Sequence, residues 1–220
     1  MDLLQRFSFS GLPIRGQWIR LDQTLKSLAQ YADYPDDVKG LLGEMFAAVT
    51  MVADNLKFSG AVSLQSKGDG ALTRSLAECR DQHYLRGIAH VATDKAADIR
   101  SSNLADWLGN GQLALSLLPD KSTRMNPYQG LVEIDPAGLA ASLEGYFQNS
   151  EQLQTCLHFA SLDGTTTGLL LQRLPDAPEA SEVSIAAADD DWLTLTTLAA
   201  SVTTDCLLYT SPSPRDLLKS

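Results

Sequence analysis

One stretch of the chain carries apolar residues at helical spacing, and this pattern constrains the fold more than any other. The apolar side chains recur at positions i, i+3, i+4 and i+7, which places them on one face of an α-helix. They are Val38, Leu41, Leu42, Met45, Phe46, Val49, Val52, Ala53 and Leu56. Pro35 suits the first helical turn, and Asp36 and Asp37 follow where the helix dipole favours negative charge. We therefore predict a helix over residues 35–57 whose apolar face lies in a hydrophobic core.

Strand-like segments occur on both sides of this helix in the sequence. They alternate polar and apolar residues or form short extended runs, and glycine-containing turns separate several of them. The predicted strands cover residues 6–9, 14–21, 60–65, 71–79, 84–91, 112–118, 128–134, 155–160 and 167–174. Shorter helices are predicted over residues 22–32, 104–108, 137–148 and 191–205. Strands mixed with isolated helices, without regular strand–helix alternation, predict an α+β fold with antiparallel sheets packed with helices in one main domain.

The composition changes after residue 175. Residues 175–190 are rich in proline, alanine and acidic residues, which is typical of a linker, and the acidic run 189–191 would suit the first turn of the helix that follows. From Cys206 the sequence CLLYTSPSPRDLLKS resembles a translated sequencing-library adaptor, and its Ser-Pro pairs stop any helix. We therefore predict a main domain at residues 1–175, a linker with the start of a helical segment at 176–205, and a non-native, disordered tail at 206–220.

The charge and the cysteine content exclude several kinds of partner. The net charge is −10, whereas nucleic acids and anionic lipids are bound by basic surfaces. The first residues lack the basic segment and long apolar stretch of a secretory signal, and no apolar run reaches the roughly 20 residues that a membrane helix requires. A sparse, odd set of cysteines is typical of a reducing compartment and not of a disulfide framework. We expect a cytoplasmic protein without a nucleic-acid or membrane partner.

No group of residues has the spacing of a known metal or phosphate site. Structural zinc in a cytosolic protein usually uses paired cysteines or histidines a few residues apart. The cysteines (Cys79, Cys156 and Cys206) and the histidines (His83, His90 and His158) complete no recognisable ligand set. The two Gly-x-Gly elements, Gly68-Asp69-Gly70 and Gly109-Asn110-Gly111, lack the rest of a phosphate-binding motif, and the run 189–191 lacks the spaced ligands of a calcium loop. We predict no metal ligand and no cofactor in this chain.

One acid–base pair can be drawn, between His158 and either Glu151 or Asp163. The sequence contains no G-x-S-x-G motif that would support nucleophilic catalysis. Asp163 belongs to a predicted turn, and a single histidine on a strand is more often structural than catalytic. We therefore predict that the protein is not an enzyme and has no catalytic residue. A small hydrolase that uses Glu151 and His158 is the alternative.

Short strings along the chain match one protein family in the family's own order. In the first half they are Arg6-Phe7, Ile14-Arg15-Gly16, Tyr34-Pro35, Leu41-Leu42-Gly43-Glu44, Leu56-Lys57-Phe58-x-Gly60 and Leu64-Gln65-x-x-Gly68-x-Gly70. In the second half they are Leu85-Arg86-Gly87-x-Ala89, Gly109-x-Gly111-x-Leu113, Tyr128-Gln129-Gly130-x-Val132, Tyr146-Phe147-x-x-Ser150-Glu151-Gln152-x-x-Thr155 and Gly168-Leu169-Leu170-Leu171-Gln172-x-Leu174-Pro175. Over residues 2–205 the chain thereby resembles the heat-shock protein 33 family.

The resemblance implies an ATP-independent holdase, which is a chaperone that binds unfolding proteins and prevents their aggregation. Members of the family have a substrate-binding α+β domain, a metastable helical linker and a C-terminal zinc domain with a C-x-C and a C-x-x-C motif. Oxidation releases the zinc, unfolds the linker and exposes apolar surface, and dimerisation accompanies activation. The implied partners are unfolding client proteins and a second copy in a homodimer.

The chain departs from the family pattern because it carries none of the four zinc cysteines. The resemblance therefore assigns no metal ligand, and we expect activity that does not respond to oxidants and a native protein that continues into a zinc domain. The client-binding residues stay unassigned. The string Ser150-Glu151-Gln152 either shapes that surface or satisfies backbone groups at a helix-to-strand junction. A dimerisation module, with the helix from Asp191 docking on a second copy, is a further alternative.

Overall fold

The long apolar helix forms and lies between two antiparallel sheets. It spans Asp36–Asp54 and is called α2. Towards one sheet, the Met45 sulfur accepts a hydrogen bond from the Ser75 hydroxyl at 3.4 Å. Towards the other sheet, Gly43 lies so close to Thr166 that a Cβ at this position would overlap the threonine side chain. A helix that is covered on both sides buries apolar residues on most of its circumference, which explains why the buried residues of α2 extend beyond the predicted stripe.

The structure is a computed structural model and describes residues 2–56, 59–82, 84–95, 99, 103–175, 182–202 and 204–209. The other helices are α1 (Gln23–Tyr31), α3 (Leu104–Leu108), α4 (Leu139–Ser150), α5 (Glu182–Ala200) and α6 (Thr204–Tyr209). The strands are β1 (Leu3–Ser8), β2 (Ile14–Leu21), β3 (Gly60–Lys67), β4 (Leu72–Arg80), β5 (Tyr84–Val91), β6 (Gln112–Pro119), β7 (Tyr128–Val132), β8 (Thr155–Leu162) and β9 (Thr165–Arg173). None of the helices in this described part is long and apolar enough to cross a bilayer.

The nine strands form two sheets in which every pair is antiparallel. The four-stranded sheet has the order β1-β2-β9-β8, so the first and last hairpins of the main domain meet through the β2–β9 pair. The five-stranded sheet has the order β5-β4-β3-β6-β7 and is built from the middle of the chain. The main hydrophobic core fills the space around α2 between the two sheets. The predicted α+β fold with antiparallel sheets is thereby confirmed.

The prediction for the residues after 175 is wrong in where the helix begins. Helix α5 starts at Glu182, so residues 182–190, which were predicted as linker, are helical. The acidic run 189–191 lies inside α5 and not at its first turn. Alanine has the highest helix propensity, and the segment Ala186-Ala187-Ala188 outweighs the linker-like composition around it. Residues 176–181 lie outside the described residues.

The prediction of a disordered tail is wrong for residues 206–209. These residues belong to α6, in which Leu207 and Leu208 are buried against Trp18 and Ala160 of the four-stranded sheet. The Ser-Pro pairs that stop a helix come only after residue 209, and the two leucines find an apolar surface that the sequence pattern does not reveal. Residues 210–220 lie outside the described residues.

Candidate functional site

The outer face of the four-stranded sheet, which points away from α2, carries a cluster of apolar side chains. Successive residues of a strand point to opposite faces, and the Gln17 amide donates to a carboxylate of α2 at 2.6 Å, so Trp18 points outward. The strand register places Trp18 opposite Leu169. Phe7, Trp18, Ala160 and Leu169 form one apolar cluster that is separate from the main core, and we call it the Trp18 patch.

Helix α6 covers the Trp18 patch. Leu207 and Leu208 pack against it, and only 4% of the Trp18 surface is exposed. The Arg20 guanidinium donates a hydrogen bond to the Leu208 carbonyl oxygen. The patch is therefore apolar surface of the main domain that is buried in this chain by Leu207 and Leu208, two residues of the tail that the sequence predicts to be non-native.

The cover is held mainly by apolar packing, because Val202, Leu207 and Leu208 pack on the patch and Ala188 and Ala199 of α5 are buried. Helix α6 has six residues, and an isolated helix of that length is not stable in water. Helix α5 is tied to the sheet by an ion pair between the exposed Asp189 and the largely buried Arg173. Burying one leucine gains about 1.5–3 kcal/mol, whereas ordering one residue costs about 1–2 kcal/mol. The Trp18 patch with its cover and the core around α2 are separate clusters.

Cys156 and His158 lie on the same outer face, on strand β8. Their side chains are 3.4 Å apart between Sγ and Nε2. Burial, with a smaller contribution from the Glu144 carboxylate, raises the pKa of the Cys156 thiol to about 11. The thiolate is the reactive form of cysteine, so this thiol is unreactive near neutral pH. Glu144 itself accepts a hydrogen bond from the Leu157 N–H at 2.6 Å, which caps the open edge of β8.

The structure does not pair Glu151 with His158. Glu151 Oε1 accepts a hydrogen bond from the Tyr146 hydroxyl at 3.0 Å, whereas His158 contacts the cysteine two residues before it. The Tyr146 hydroxyl also lies 3.3 Å from the Tyr128 hydroxyl oxygen of β7, and burial is the main reason why the pKa of Tyr146 is raised. Asp163 lies in the tight turn between β8 and β9. The string at the end of α4 therefore joins α4 to the five-stranded sheet through Tyr146, and the Glu151 carboxylate meets a side-chain hydroxyl and not the backbone groups of the predicted junction.

The two Gly-x-Gly elements are turns, as predicted, and they pack against each other. Gly68 and Gly70 approach the end of α3 so closely that a Cβ on either would overlap the backbone near Leu108. Asp69 accepts hydrogen bonds from the Asn110 main-chain N–H at 2.9 Å and from its side-chain amide at 3.0 Å. These family strings stabilise the fold, and no phosphate-binding role follows from their geometry.

The remaining residues that were weighed as metal ligands are scattered. Cys79 is buried in β4, where burial raises the pKa of its thiol to about 11. Cys206 and His90 are exposed on α6 and β5 respectively. His83 lies outside the described residues. Across the part of the chain that the structure describes, no three His, Cys, Asp or Glu side chains are grouped so as to hold a metal ion.

Sequence reasoning missed the Trp18 patch. A weak signal was present, because Phe7, Trp18 and Leu169 are large apolar residues in predicted strands. A strand pattern shows which residues share a face, but it does not show which face the central helix covers. The residues that cover the patch were predicted to be disordered, so nothing in the sequence pointed to an apolar surface there.

Comparison with known proteins assigns the chain to a family. A family model described as Hsp33 protein matches residues 2–220. A 33 kDa chaperonin of Shewanella denitrificans is 35% identical over 181 residues, which are 82% of this chain and 61% of the relative. A 33 kDa chaperonin of Pasteurella multocida is 35% identical over 205 residues, which are 91% of this chain and 66% of the relative. The chain thus spans about two thirds of the length of these curated relatives.

A solved structure has the same fold. The crystal structure of the 33 kDa chaperonin (heat shock protein 33 homolog) of Thermotoga maritima matches with a TM-score of 0.72 at 16% sequence identity. The match covers 98% of this chain and 72% of that chain. The chain has two sheets around one helix, it matches the family model along nearly its whole length, and it has relatives at 35% identity. It therefore belongs to the Hsp33 protein family.

Proposed function

We propose that the chain is a holdase chaperone that binds apolar segments of unfolding proteins on the Trp18 patch, without ATP and without a catalytic step. The observation that carries the proposal is an apolar cluster on an outer sheet face, separate from the main core and covered among the described residues by a short helix. Apolar patches on soluble proteins mark binding surfaces for other molecules. The name chaperonin, which the relatives carry, supports the same function.

Binding exchanges the cover for a client. Leu207 and Leu208 occupy the Trp18 patch, so the patch accommodates two adjacent aliphatic side chains. An unfolding protein exposes segments of the same kind, and each buried leucine gains about 1.5–3 kcal/mol whichever chain supplies it. The core around α2 stays intact during this exchange because it is a separate cluster. The net charge of −10 helps to keep a complex with an apolar client in solution.

We further propose that this activity requires neither a metal nor oxidation in this chain. Burial raises the pKa of the Cys79 and Cys156 thiols to about 11, so both are poor targets for oxidants at neutral pH. The third cysteine, Cys206, is exposed on α6, and we propose that its oxidation does not change the activity. The family's redox switch depends on zinc cysteines that the chain does not carry. Cytoplasmic location and homodimer formation stay predictions.

Light scattering by a heat-aggregating client enzyme tests the proposal. We expect the purified chain to suppress aggregation at equimolar concentration. The double substitution Leu207→Ser and Leu208→Ser should increase the suppression, because it frees the patch. Adding Trp18→Ser to that background should abolish the increase, because the patch loses its largest apolar side chain. Peroxide or a zinc chelator should leave the suppression unchanged.

Leu131→Ser is the matched control. Leu131 is a leucine on β7 of the other sheet, and 69% of its surface is exposed, so its removal changes exposed apolar area without touching the patch. We expect this variant to suppress aggregation as well as the unchanged chain. A lack of suppression by both the unchanged chain and the uncovered variant would contradict the proposal.

A further inference from the structure

The edge strand β5 of the five-stranded sheet borders a groove. The groove has a volume of about 450 Å³ and lies between β5 and α1. Leu28, Phe46 and Leu85 contribute apolar walls, and Tyr31 and Arg86 stand at its sides. Polar residues also line the groove, namely Asp2, Gln23, Thr24 and Ser27. Helix α1 and strand β5 are therefore separated by a space that is open to solvent and apolar around Leu28, Phe46 and Leu85.

Strand β5 directs unpaired main-chain groups into this groove. Among the described strands it pairs only with β4, and the Ala89 N–H points away from β4 because it donates to the Tyr34 hydroxyl at 3.2 Å. In an antiparallel ladder, every second residue directs both its N–H and its C=O to the same side. Leu85 and Gly87 therefore direct theirs towards the groove. Within the described residues, no group outside the ladder bonds to either of them.

Gly87 has no side chain, and an apolar ring therefore lies directly against the open edge of β5. A Cβ at this position would lie 2.5 Å from Cζ of Phe46, so only glycine lets the aromatic ring reach the edge of the sheet here. The ring of Phe46 lies beside the free N–H and C=O groups of β5 as a result. A row of hydrogen-bonding groups next to an apolar pocket is the arrangement that binds an extended peptide as an added strand.

Arg86 adds charge complementarity to this edge. It lies between Leu85 and Gly87, on the opposite face of the strand. One of its terminal nitrogens pairs with Glu78 at 2.9 Å, and its side chain is largely exposed. A guanidinium carries five N–H donors, so donors remain for a second carboxylate on an incoming strand.

We propose that an extended segment of an unfolding client adds to β5 as a sixth strand, with two apolar residues in the groove and an acidic residue between them beside Arg86. The inference rests on the proposed holdase function and gives it a second contact, formed by main-chain hydrogen bonds. Residues across from Leu85 and Gly87 turn their side chains towards Phe46, and the residue between them faces the outer surface of the sheet. Main-chain bonds are independent of sequence, so the groove selects an extended conformation and a pattern of apolar, acidic, apolar.

Fluorescence anisotropy with a labelled, end-blocked peptide Thr-Val-Glu-Phe-Thr tests the proposal. We expect the peptide to bind, and we expect a version with N-methyl groups on the valine and phenylalanine amides to bind at least tenfold more weakly. Lysine in place of the glutamate should weaken binding about threefold. Binding should slow exchange of the Leu85 and Gly87 amide protons, measured by NMR. Equal binding of the methylated and unmethylated peptides, or no binding of either, would overturn the proposal.

Two tyrosines provide matched variants. Tyr31 stands at the side of the groove with 87% of its surface exposed, and Tyr84 is 71% exposed on β5 but points to the outer face of the sheet. Neither is part of the core, so both alanine variants should fold. Tyr31→Ala should weaken peptide binding about fivefold and Tyr84→Ala less than twofold, and the reverse order would overturn the proposal. If the chain suppresses aggregation but does not bind the peptide, the proposed peptide site at β5 is wrong and the holdase function stands. If the chain binds the peptide but does not suppress aggregation, the holdase function is wrong and the peptide site stands.

Discussion

The two sheets share α2 on their inner faces, and they differ on their outer faces. The four-stranded sheet presents the Trp18 patch, which is buried under α6. The five-stranded sheet has Ser63 and Ser116 side by side at its centre and the ion pair between Glu78 and Arg86 beside them. The two serines and Glu78 are themselves buried among their neighbours, and the apolar residues on the same sheet, Tyr84, Ile88 and Leu131, are exposed singly, whereas the tryptophan and leucine of the Trp18 patch form one buried cluster. This difference supports the proposal that clients bind the four-stranded sheet, because its apolar cluster is the one that lies under a cover.

The largest expected effect concerns the patch itself. Trp18→Ala should lower the free energy of unfolding by about 3 kcal/mol, because it removes a buried tryptophan. Ile88→Ala on the outer face of the five-stranded sheet should cost less than about 0.5 kcal/mol, because Ile88 is exposed. Urea denaturation measures both values. The cost of Trp18→Ala should fall by more than half in the Leu207→Ser, Leu208→Ser background, since Trp18 is then already exposed. An equal cost in both backgrounds would show that α6 does not cover Trp18.

The second largest expected effect is a dependence of stability on pH that comes from Glu44 in α2, and it should change the unfolding of both sheets together. Burial raises the pKa of Glu44 from 4.5 to about 7, so the folded state binds this proton more tightly than the unfolded state. The contribution of Glu44 to the free energy of unfolding is therefore greatest below pH 4.5. It falls as the pH rises towards 7 and is constant above that pH. The total loss is on the order of 3 kcal/mol.

The variant Glu44→Gln isolates this group. It should be more stable than the unchanged chain at pH 8 and should lose most of the pH dependence between pH 5 and 8 in urea denaturation. Probes of the two sheets should report the same transition, because α2 serves both. Parallel pH curves for the variant and the unchanged chain would show that Glu44 titrates normally.

The smallest effect concerns the polar face. Glu78→Gln should lower the free energy of unfolding by about 1 kcal/mol, because its partner Arg86 is largely exposed and Arg80 is half-exposed, so water can solvate both instead. The loss should shrink at about 1 M salt, which screens surface charges, whereas the cost of Trp18→Ala should not shrink. If both costs respond equally to salt, the two faces do not differ as described.

Much of the fold could be predicted because its strongest patterns are local. The stripe of α2 was visible from Val38 onward, and the predicted strand 84–91 matches β5 at both ends. The start of α5 was misplaced, because Pro175 and Pro178 indicate a linker while the alanines at 186–188 favour a helix, and the composition was weighed above the helix propensity. Residues 206–209 are helical through contact with Trp18, which is far away in the sequence.

The candidate site was harder to predict than the fold. The family strings at Gly68, Gly87, Gly130 and Glu151 mark close packing and turn geometry, so they identify the family without marking the apolar surface. The Trp18 patch depends on which face of β2 meets α2, and this follows from the Gln17 hydrogen bond to α2. Contacts such as the Gln17 hydrogen bond join parts of the chain that are far apart in the sequence, so no local sequence pattern indicates them.

Photo-crosslinking to an unfolding client tests most directly whether the Trp18 patch is the binding surface. A photoreactive amino acid would replace Leu169 in the patch or, as the control, the exposed Leu131 on the other sheet. We predict that the client crosslinks at position 169, and more strongly when Leu207→Ser and Leu208→Ser uncover the patch. Crosslinking at position 131 without crosslinking at position 169 would contradict the assignment of this surface.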